Sequence, residues 1–281
     1  MSSIGVKLAG SNGGAGSRPA GRFVSAWSRM VRKMDTIRRK SLLYRSGLGF
    51  WCVNHVQGCA HGCTYPCYAY LMARHYGRAT DDADWRRPRL VENAVELLER
   101  QLTRTRDRID AVHLCLTTDP FMVGYPEVAS LSIAIIERLN ARGVPASVLT
   151  KGILPAALAD ARFDRANTLG ISLVSLDESF RRRFEPGAAP CRARIAALEH
   201  LHSAGCRTLV HIEPYPTPNI VRQEIRSLLE AVAFVDELYF GGWNYSPLAG
   251  RSAEREAFYR SQGRIVRAFC QRHHIDAMVE C

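Results

Sequence analysis

The sequence predicts an α/β fold, an open partial barrel of six βα units in the (β/α)6 arrangement. From residue 51 onward, short apolar runs alternate with longer amphipathic runs, which is the pattern of repeated βα units with a parallel sheet. Six units are too few to close a barrel of eight strands. Polar residues also follow the predicted strands, at the end of a parallel barrel where the loops carry its chemistry.

Six apolar runs in chain order are the predicted strands. They are FWCVNHV (50–56), AVHLCLT (111–117), PASVLT (145–150), TLGISLV (168–174), TLVHIEP (208–214) and ELYFGG (237–242). The amphipathic runs between and after them predict helices at 91–104, 130–142, 155–161, 191–204, 221–232 and 254–272. Two of these helices run into LNARGVP and LHSAGCR, whose glycines suit the left-handed residue that ends a helix before the next strand.

The chain of 281 residues carries a net charge of +11, from 38 lysines and arginines against 27 acidic residues. This excess favours polyanions such as nucleic acid as partners. The alternative is that the charge lies on arginine-rich helices that face solvent and bind no polyanion. No uninterrupted apolar run reaches the ~20 residues that a membrane helix needs, so we expect a soluble, cytoplasmic protein without a membrane partner.

Residues 1–40 are predicted to be a disordered basic tail, and residues 41–281 a single partial-barrel domain. The stretch GSNGGAGSRPAG has too few apolar residues to fold alone, and no acid occurs before Asp35. An organelle transit peptide is the alternative, because such peptides are also rich in Arg and Ser and poor in acids. At the other end, CQRHHIDAMVEC predicts an exposed helix end followed by a short strand.

Three of the nine cysteines fall in one stretch, GCAHGCTYPCYAY, as Cys59, Cys63 and Cys67. The other six are scattered and are interpreted as small buried residues or incidental thiols in a reducing compartment. A structural zinc site normally takes four ligands from close cysteine pairs, which this stretch lacks. A packed core trio is disfavoured by the glycines and the proline, which predict an irregular loop. The remaining interpretation is a cubane iron–sulfur cluster on three thiolates, whose fourth iron is open to a ligand.

Polar side chains follow the other predicted strands and are expected to meet at one rim of the barrel. They are Thr117, Thr118 and Asp119, then Thr150 and Lys151, then Ser175 and Asp177, then His211 and Glu213, and finally Trp243, Asn244 and Tyr245. Asp119 and Lys151 taken singly are most often salt-bridged surface groups. Their shared position at strand ends is what indicates a functional rim.

Together with the cysteine loop, these motifs resemble the radical S-adenosylmethionine (radical SAM) superfamily. NHVQGCAHGCTYPCYAY is similar to the cluster loop of its spore photoproduct lyase-like branch, also described as DNA repair photolyase-like. LTTDPF, LTKG, ISLVSLDESFRRRFEPGAAPCRARIAALEHLHSAG and VHIEPYPTP resemble the later strands of that branch, in the same order. The resemblance covers roughly residues 40–245 and implies the open (β/α)6 barrel of the radical SAM type.

The resemblance implies a radical SAM enzyme with two cofactors, a 4Fe-4S cluster and S-adenosyl-L-methionine. Cys59, Cys63 and Cys67 would bind the cluster. The resemblance further implies that Tyr65 lies by the adenine or sulfonium, and that Thr117, Lys151 and Ser172 reach the cofactor's carboxylate and ribose. It implies for Tyr68 a radical relay, a stack on a base, or a cover for the cluster. An electron donor such as flavodoxin or ferredoxin is the implied partner.

Two features depart from the pattern of the family. The usual loop has three and then two residues between its cysteines, whereas Pro66 lengthens the second gap to three. In addition, spore photoproduct lyases carry a hydrogen-donating cysteine three residues before the aspartate of the second-strand motif, where this chain has Leu116. Cys115 lies one residue earlier, on the opposite face of a strand, and is expected in the core.

The sequence leaves the substrate open. The net charge and the resemblance favour a DNA lesion or another nucleic acid, processed by a lyase-like reaction. The short chain and the missing donor cysteine favour radical modification of a small molecule or peptide. A third possibility is a protein that binds an iron–sulfur cluster or zinc without catalysis.

Overall fold

The computed structural model describes residues 34–243 and 253–280, which belong to one compact unit that begins at Met34. Its strands are β1 (Thr36–Ile37), β2 (Leu43–Arg45), β3 (Trp51–Val53), β4 (Val56–Gln57), β5 (Arg89–Val91), β6 (Val112–Leu114), β7 (Ala146–Thr150), β8 (Thr168–Ser172), β9 (Arg207–Tyr215), β10 (Glu237–Gly242) and β11 (Asp276–Glu280). Its helices are α1 (Tyr68–His75), α2 (Asp82–Trp85), α3 (Ala94–Arg104), α4 (Pro126–Asn140), α5 (Glu178–Phe184), α6 (Cys191–Ser203), α7 (Ile225–Ala231) and α8 (Ala253–His273), with a 3-10 turn at Ala156–Ala159.

The main sheet confirms the predicted open parallel barrel. Its strand order is β11-β10-β9-β8-β7-β6-β3-β2, and every pair from β3 to β11 is parallel. The sheet has two edges, at β2 and β11, so it does not close. β2 pairs antiparallel with β3, and β11 is the short C-terminal strand that the sequence predicts after a long helix.

A second, three-stranded sheet, β1-β5-β4, accounts for two corrections to the predicted elements. The predicted strand over 50–56 is in fact two strands, because the chain leaves β3 and re-pairs with β5 as β4. The predicted tail over 1–40 includes β1, which pairs parallel with β5, so the paired structure starts before residue 41. Residues 1–33 of that tail lie outside the described part.

Other predicted elements change length for local reasons. The strand predicted over 111–117 ends at Leu114, because Cys115 adopts a left-handed backbone with φ of 59°. The helix predicted from residue 130 begins at Pro126, whose missing N–H costs nothing in a first turn. The one predicted over 155–161 is the short 3-10 turn, and the one predicted over 221–232 begins only at Ile225.

The two faces of the sheet differ in chemistry. On β7 the buried residues Ala146, Val148 and Thr150 alternate with half-buried Ser147 and Leu149. The aliphatic side packs in the hydrophobic core with the helices, as the alternation of a sheet requires. The other side, which we call the lumen face, is half-buried and mixed in chemistry, since it carries the hydroxyl of Ser147 and the apolar side chain of Leu149.

Contacts between neighbouring strands define that lumen. Nδ1 of His113 lies 3.2 Å from Oγ of Ser147 on the next strand, and the ring of His211 stacks on Tyr239 at 4.1 Å between centroids. Burial lowers the pKa of His113 to about 4 and that of His211 to about 3, with Lys151 adding to the second shift. Both imidazoles are therefore neutral at pH 7 and can each donate one hydrogen bond and accept another.

Within the described residues, no helix is both long and apolar enough to cross a membrane.

Candidate functional site

The three clustered cysteines lie on the loop between β4 and α1. Cys59, Cys63 and Cys67 are all free and half-buried, whereas the five scattered cysteines that the structure describes are buried, as the sequence predicts; Cys281 lies outside the described residues. Cys67 is the N-cap of α1, so the proline-lengthened gap ends where the helix begins. The loop follows β4 directly.

Two glycines allow this loop to pack closely. Gly58 and Gly62 have φ of 88° and 60°, values that side chains other than glycine rarely adopt. A Cβ on Gly58 would lie 2.6 Å from the carbonyl oxygen of Trp85, and one on Gly62 would meet the guanidinium of Arg86 at 2.7 Å. The two glycines therefore let α2 and the residues after it support the loop.

His61, in the middle of the loop, joins it to the residues that follow β6. Its Nε2 lies 2.9 Å from Oδ2 of Asp119, and its Nδ1 lies 3.1 Å from the carbonyl oxygen of Gly187. Both side chains are buried, at 2% and 4% exposure. Asp119 also accepts hydrogen bonds from Oγ1 of Thr150 and the backbone N–H of Lys151. Burial disfavours the charge of Asp119, but His61 and these donors outweigh it and lower its pKa.

Tyr65 anchors the other side of the loop to a buried charge network. Its hydroxyl donates to Oε1 of Glu185 at 2.7 Å. Nη2 of Arg194 donates to Oε2 of the same carboxylate at 2.9 Å, and Nζ of Lys151 lies 3.9 Å from Oε1. Burial opposes the charge on Glu185, but the two cations outweigh it and lower its pKa. One carboxylate thus faces two cations, and the surplus positive charge lies beside the cysteine loop.

The network holds its arginine in a fixed position. Arg194 is 1% exposed, and its other donors reach the backbone oxygens of Ala189 at 3.0 Å and Ser172 at 2.7 Å. Sequence analysis missed both Glu185 and Arg194, because charged residues in the run RRRFEPGAAPCRAR look like a solvated surface. A signal was present in the spacing: Arg194 falls on the buried stripe of α6, with Cys191 and Leu198.

Two of the three thiols, those of Cys59 and Cys63, need a cation to ionise. Burial raises the pKa of Cys59 well above its usual range, and it raises that of Cys63 to about 12 against the opposing effect of Lys151. Bound metal deprotonates such a thiol. Within residues 34–243 and 253–280, no three His, Cys, Asp or Glu side chains are placed to hold a single metal ion. A cubane offers a separate iron to each thiolate, so this donor set fits a cluster better than one zinc ion.

The other predicted site residues lie in the cysteine loop, at the start of α1, and at or after the ends of β6, β7 and β8. Tyr65 and Lys151 are neighbours, with Nζ 5.8 Å from the centre of the tyrosine ring. Ser172 is 5% exposed and pairs in register with His211. Thr117 lies in the turn after β6, where its N–H donates to Oδ1 of Asn54. Tyr68, the first residue of α1, is 44% exposed.

Cys115 and Trp243 directly follow β6 and β10. Cys115 is 3% exposed and packs with Val56, Met122 and Val128, so it lies in the core as expected. Trp243 is buried and meets Tyr65 edge to face at 5.3 Å, which completes the packing around the loop. Asn244 and Tyr245 lie outside the described residues.

The chain is similar to one protein family and to several curated proteins. The family model described as the radical SAM superfamily matches residues 53–232. An uncharacterized protein of Acidianus two-tailed virus, ORF301, is 26% identical over 192 residues, covering 65% of this chain and 61% of the relative. An uncharacterized protein of Mycobacterium tuberculosis strain H37Rv is 30% identical over 167 residues, covering 58% and 48%. The chain thus matches less than two thirds of the length of these relatives.

Solved structures share the fold. A mutant spore photoproduct lyase with bound AdoMet and dinucleoside spore photoproduct superposes with a TM-score of 0.61 at 14% identity, over 86% of this chain and 79% of that chain. A radical SAM methyltransferase from Sphaerobacter thermophilus gives a TM-score of 0.53 at 20% identity, over 85% and 72%. Since the family model covers well over half of the residues and the open parallel barrel agrees with it, the chain belongs to the radical SAM superfamily.

Proposed function

We propose that Cys59, Cys63 and Cys67 bind a 4Fe-4S cluster and that the chain uses it to cleave S-adenosylmethionine and abstract hydrogen from a substrate carbon. Radical SAM enzymes use this cluster and this cofactor, and they need a reductant such as flavodoxin or ferredoxin. When bound, the cluster supplies the electron that splits S-adenosylmethionine into methionine and a 5'-deoxyadenosyl radical. The observation that carries the proposal is the loop of three half-buried free thiols beside a half-buried cation, Lys151.

Lys151 is the residue we assign to the carboxylate of the methionyl group. Its ammonium lies at the carboxyl end of β7, 17% exposed, and shares Glu185 with Arg194. Burial disfavours its charge, but Glu185 outweighs the effect and raises its pKa. Lys151 therefore stays protonated, and because Arg194 already neutralises Glu185, it retains attraction for an anion.

The remaining predicted cofactor residues have more limited roles in this proposal. The hydroxyl of Tyr65 is committed to Glu185, so Tyr65 contributes its ring face and the position of Lys151 rather than a free donor. Thr117 and Ser172 offer hydroxyls at the ends of β6 and β8 for ribose oxygens. Tyr68, half exposed after the third cysteine, covers the loop or faces the substrate.

A nucleic acid, such as a DNA lesion, is the substrate class that the chain's charge supports best. The net charge of +11 favours a polyanion. The lumen presents neutral polar groups, His113 and His211, which can hydrogen bond an uncharged ring such as a nucleobase.

Radical modification of a peptide or small molecule is the second candidate, and one observation favours it. Cys115 is buried in the core, and Leu116 occupies the position of the donor cysteine of spore photoproduct lyases. The hydrogen return on which those enzymes depend would need another donor in this chain.

Anaerobic reconstitution with iron and sulfide, followed by a product assay, tests the proposal. The expected result is a brown protein that forms 5'-deoxyadenosine from S-adenosylmethionine under reductant, faster with ultraviolet-irradiated DNA than with intact DNA. Equal rates with both DNAs would favour the second candidate substrate class. A protein that binds only zinc, or a brown protein that never forms 5'-deoxyadenosine, would exclude the enzyme and support a non-catalytic binding protein.

A further inference from the structure

The cysteine loop reaches the protein surface at Thr64. This residue is exposed, although it lies between half-buried Cys63 and buried Tyr65. Its N–H donates to the carbonyl oxygen of Phe184 at 2.9 Å, and its Oγ1 donates to that of Arg183 at 3.0 Å. The surface beside Cys63 is therefore shared with the C-terminal end of α5.

Two arginines at that end of α5 form no salt bridge within the part of the chain that the structure describes. Arg182 and Arg183 are exposed, and within the described residues neither forms an ion pair, whereas their neighbour Arg181 pairs with Glu178 at 2.5 Å. The guanidinium of Arg183 lies 4.9 Å from the centre of the Phe184 ring, which limits its freedom. We call Thr64, Arg182 and Arg183 the arginine patch.

We propose that the arginine patch is the docking site of an acidic one-electron carrier protein of the flavodoxin type. The inference rests on the proposed function, because it requires a cluster at Cys63. One electron leaves the reduced flavin of the carrier and enters the cluster, so the flavin is oxidised as the cluster is reduced. The rate of electron transfer falls steeply with distance. Thr64 is covalently next to Cys63, a proposed cluster ligand, and is exposed to solvent, so a carrier bound at Thr64 would be close to the cluster.

The chemistry of the arginine patch fits such a partner. Electron-transfer encounters are brief and use small interfaces, so a few charges can guide them. Two exposed cations on a chain of net charge +11 attract an acidic protein and speed the encounter. A nucleic acid could also meet exposed arginines, but Arg183 adjoins Thr64 of the cysteine loop, where an electron would enter. The patch therefore suits the electron carrier better.

Charge reversal tests the docking site. The variant R182E/R183E is compared with R104E/R106E, which makes the same change of charge at exposed arginines at the end of α3 and in the loop after it, at the amino end of β6. Both pairs lie at or just beyond a helix C-terminus, so the cost of reversing charge there is similar. Reconstituted proteins are mixed anaerobically with reduced flavodoxin or with reduced methyl viologen, a small cation, and bleaching of the chromophore is followed.

R182E/R183E should be reduced by flavodoxin about tenfold more slowly than the wild type at low ionic strength, with little dependence on salt. Its reduction by methyl viologen should not slow. R104E/R106E should stay within about twofold of the wild type with both reductants. Equal slowing of the two variants by flavodoxin, or no slowing of R182E/R183E, would overturn the docking site.

Two other results separate this inference from its alternatives. If R182E/R183E keeps the wild-type rate with flavodoxin but loses affinity for DNA, the patch binds nucleic acid and the inference is wrong. If wild-type protein forms no chromophore, the proposed function fails and the electron-transfer role falls with it. A titration with oxidised flavodoxin at low salt still measures whether the patch binds an acidic protein, and loss of that affinity in R182E/R183E alone supports docking.

Discussion

The hydroxyl of Tyr65 donates to Oε1 of Glu185 across 2.7 Å and 120 residues of sequence. This bond joins the cysteine loop to the segment after α5, and the same carboxylate holds Arg194 and Lys151. Glu185 is thus the residue on which the position of the loop and of the assigned cofactor-binding lysine both depend. Replacing Glu185 should therefore lower the stability of the apoprotein, even when no ligand is bound.

Glu185→Gln should lower the free energy of unfolding by about 3 kcal/mol, because it leaves buried Arg194 and half-buried Lys151 without their carboxylate. The amide can still accept from Tyr65, so the loss is mainly of charge. Urea unfolding of the apoprotein measures it. Glu137→Gln is the control, since its ion pair with Arg162 is half exposed and should contribute less than about 1 kcal/mol. Equal costs in both variants would contradict the buried network.

Cys59→Ala, Cys63→Ala and Cys67→Ala should each abolish the brown chromophore of anaerobically reconstituted protein. Each removes one of three thiolates, and the cluster has no fourth protein ligand in the proposal to replace it. Iron content and the visible spectrum check the result. Cys270→Ala removes a buried thiol from α8 and should keep the chromophore. A full cluster in any of the three loop variants would refute the ligand assignment.

Lys151→Met should weaken S-adenosylmethionine binding about 10- to 100-fold while the cluster spectrum stays intact. The estimate corresponds to losing one charge-assisted hydrogen bond of about 1.5–3 kcal/mol. Calorimetry on the reconstituted, oxidised protein gives the affinity. Lys40→Met makes the same change at an exposed lysine and should leave the affinity unchanged. If the two variants bind the cofactor equally well, Lys151 does not contact its carboxylate.

Much of this site could be predicted from the sequence, because its signals are local. Alternation of short apolar and longer amphipathic runs predicts the parallel strands, and residues after strand ends predict a polar rim. Asp119 and Lys151 lie together for this reason. Three cysteines in one loop need no tertiary information to be noticed.

The remainder depends on contacts between distant parts of the chain. Glu185 and Arg194 are buried because Tyr65 and Ser172 come to them, and charged residues without known partners are correctly expected at the surface. The early end of β6 follows from the left-handed backbone of Cys115, for which an isolated cysteine gives no signal. The splitting of β3 from β4 requires β5, another tertiary partner.

Gly187→Ala should reduce the iron content after reconstitution and lower the free energy of unfolding by about 1–3 kcal/mol. A Cβ on Gly187 would lie 2.4 Å from the carbonyl oxygen of Ala60 and 2.9 Å from Cα of His61, so the cysteine loop would have to move. Gly47→Ala is the matched control, because its Cβ would have no atom within 4 Å. Retention of full iron content by Gly187→Ala would show that the loop tolerates this displacement.

His55 should make the apoprotein less stable in mild acid. Burial, with a smaller contribution from Arg39, lowers its pKa to about 3, whereas an unfolded histidine has a pKa of about 6.5. Between these values the unfolded state binds a proton that the folded state does not, so the contribution of His55 is complete above pH 6.5 and decreases as the pH falls. The slope is up to about 1.4 kcal/mol per pH unit.

Between pH 6 and pH 4.5, the free energy of unfolding of His55→Asn should therefore fall less steeply than that of the wild type. The difference between the two slopes should be up to about 1.4 kcal/mol per pH unit. Its stability at pH 7 should also be lower, because Nε2 of His55 and Oγ of Ser132 are hydrogen bonded at 2.7 Å. Urea unfolding at several pH values measures both effects. His200→Asn, at an exposed position of α6, should keep the wild-type slope. His113 and His211 also stay neutral in the folded protein, so part of the acid sensitivity should persist in His55→Asn. If His55→Asn and the wild type lose stability equally steeply as the pH falls, His55 is protonated in the native protein.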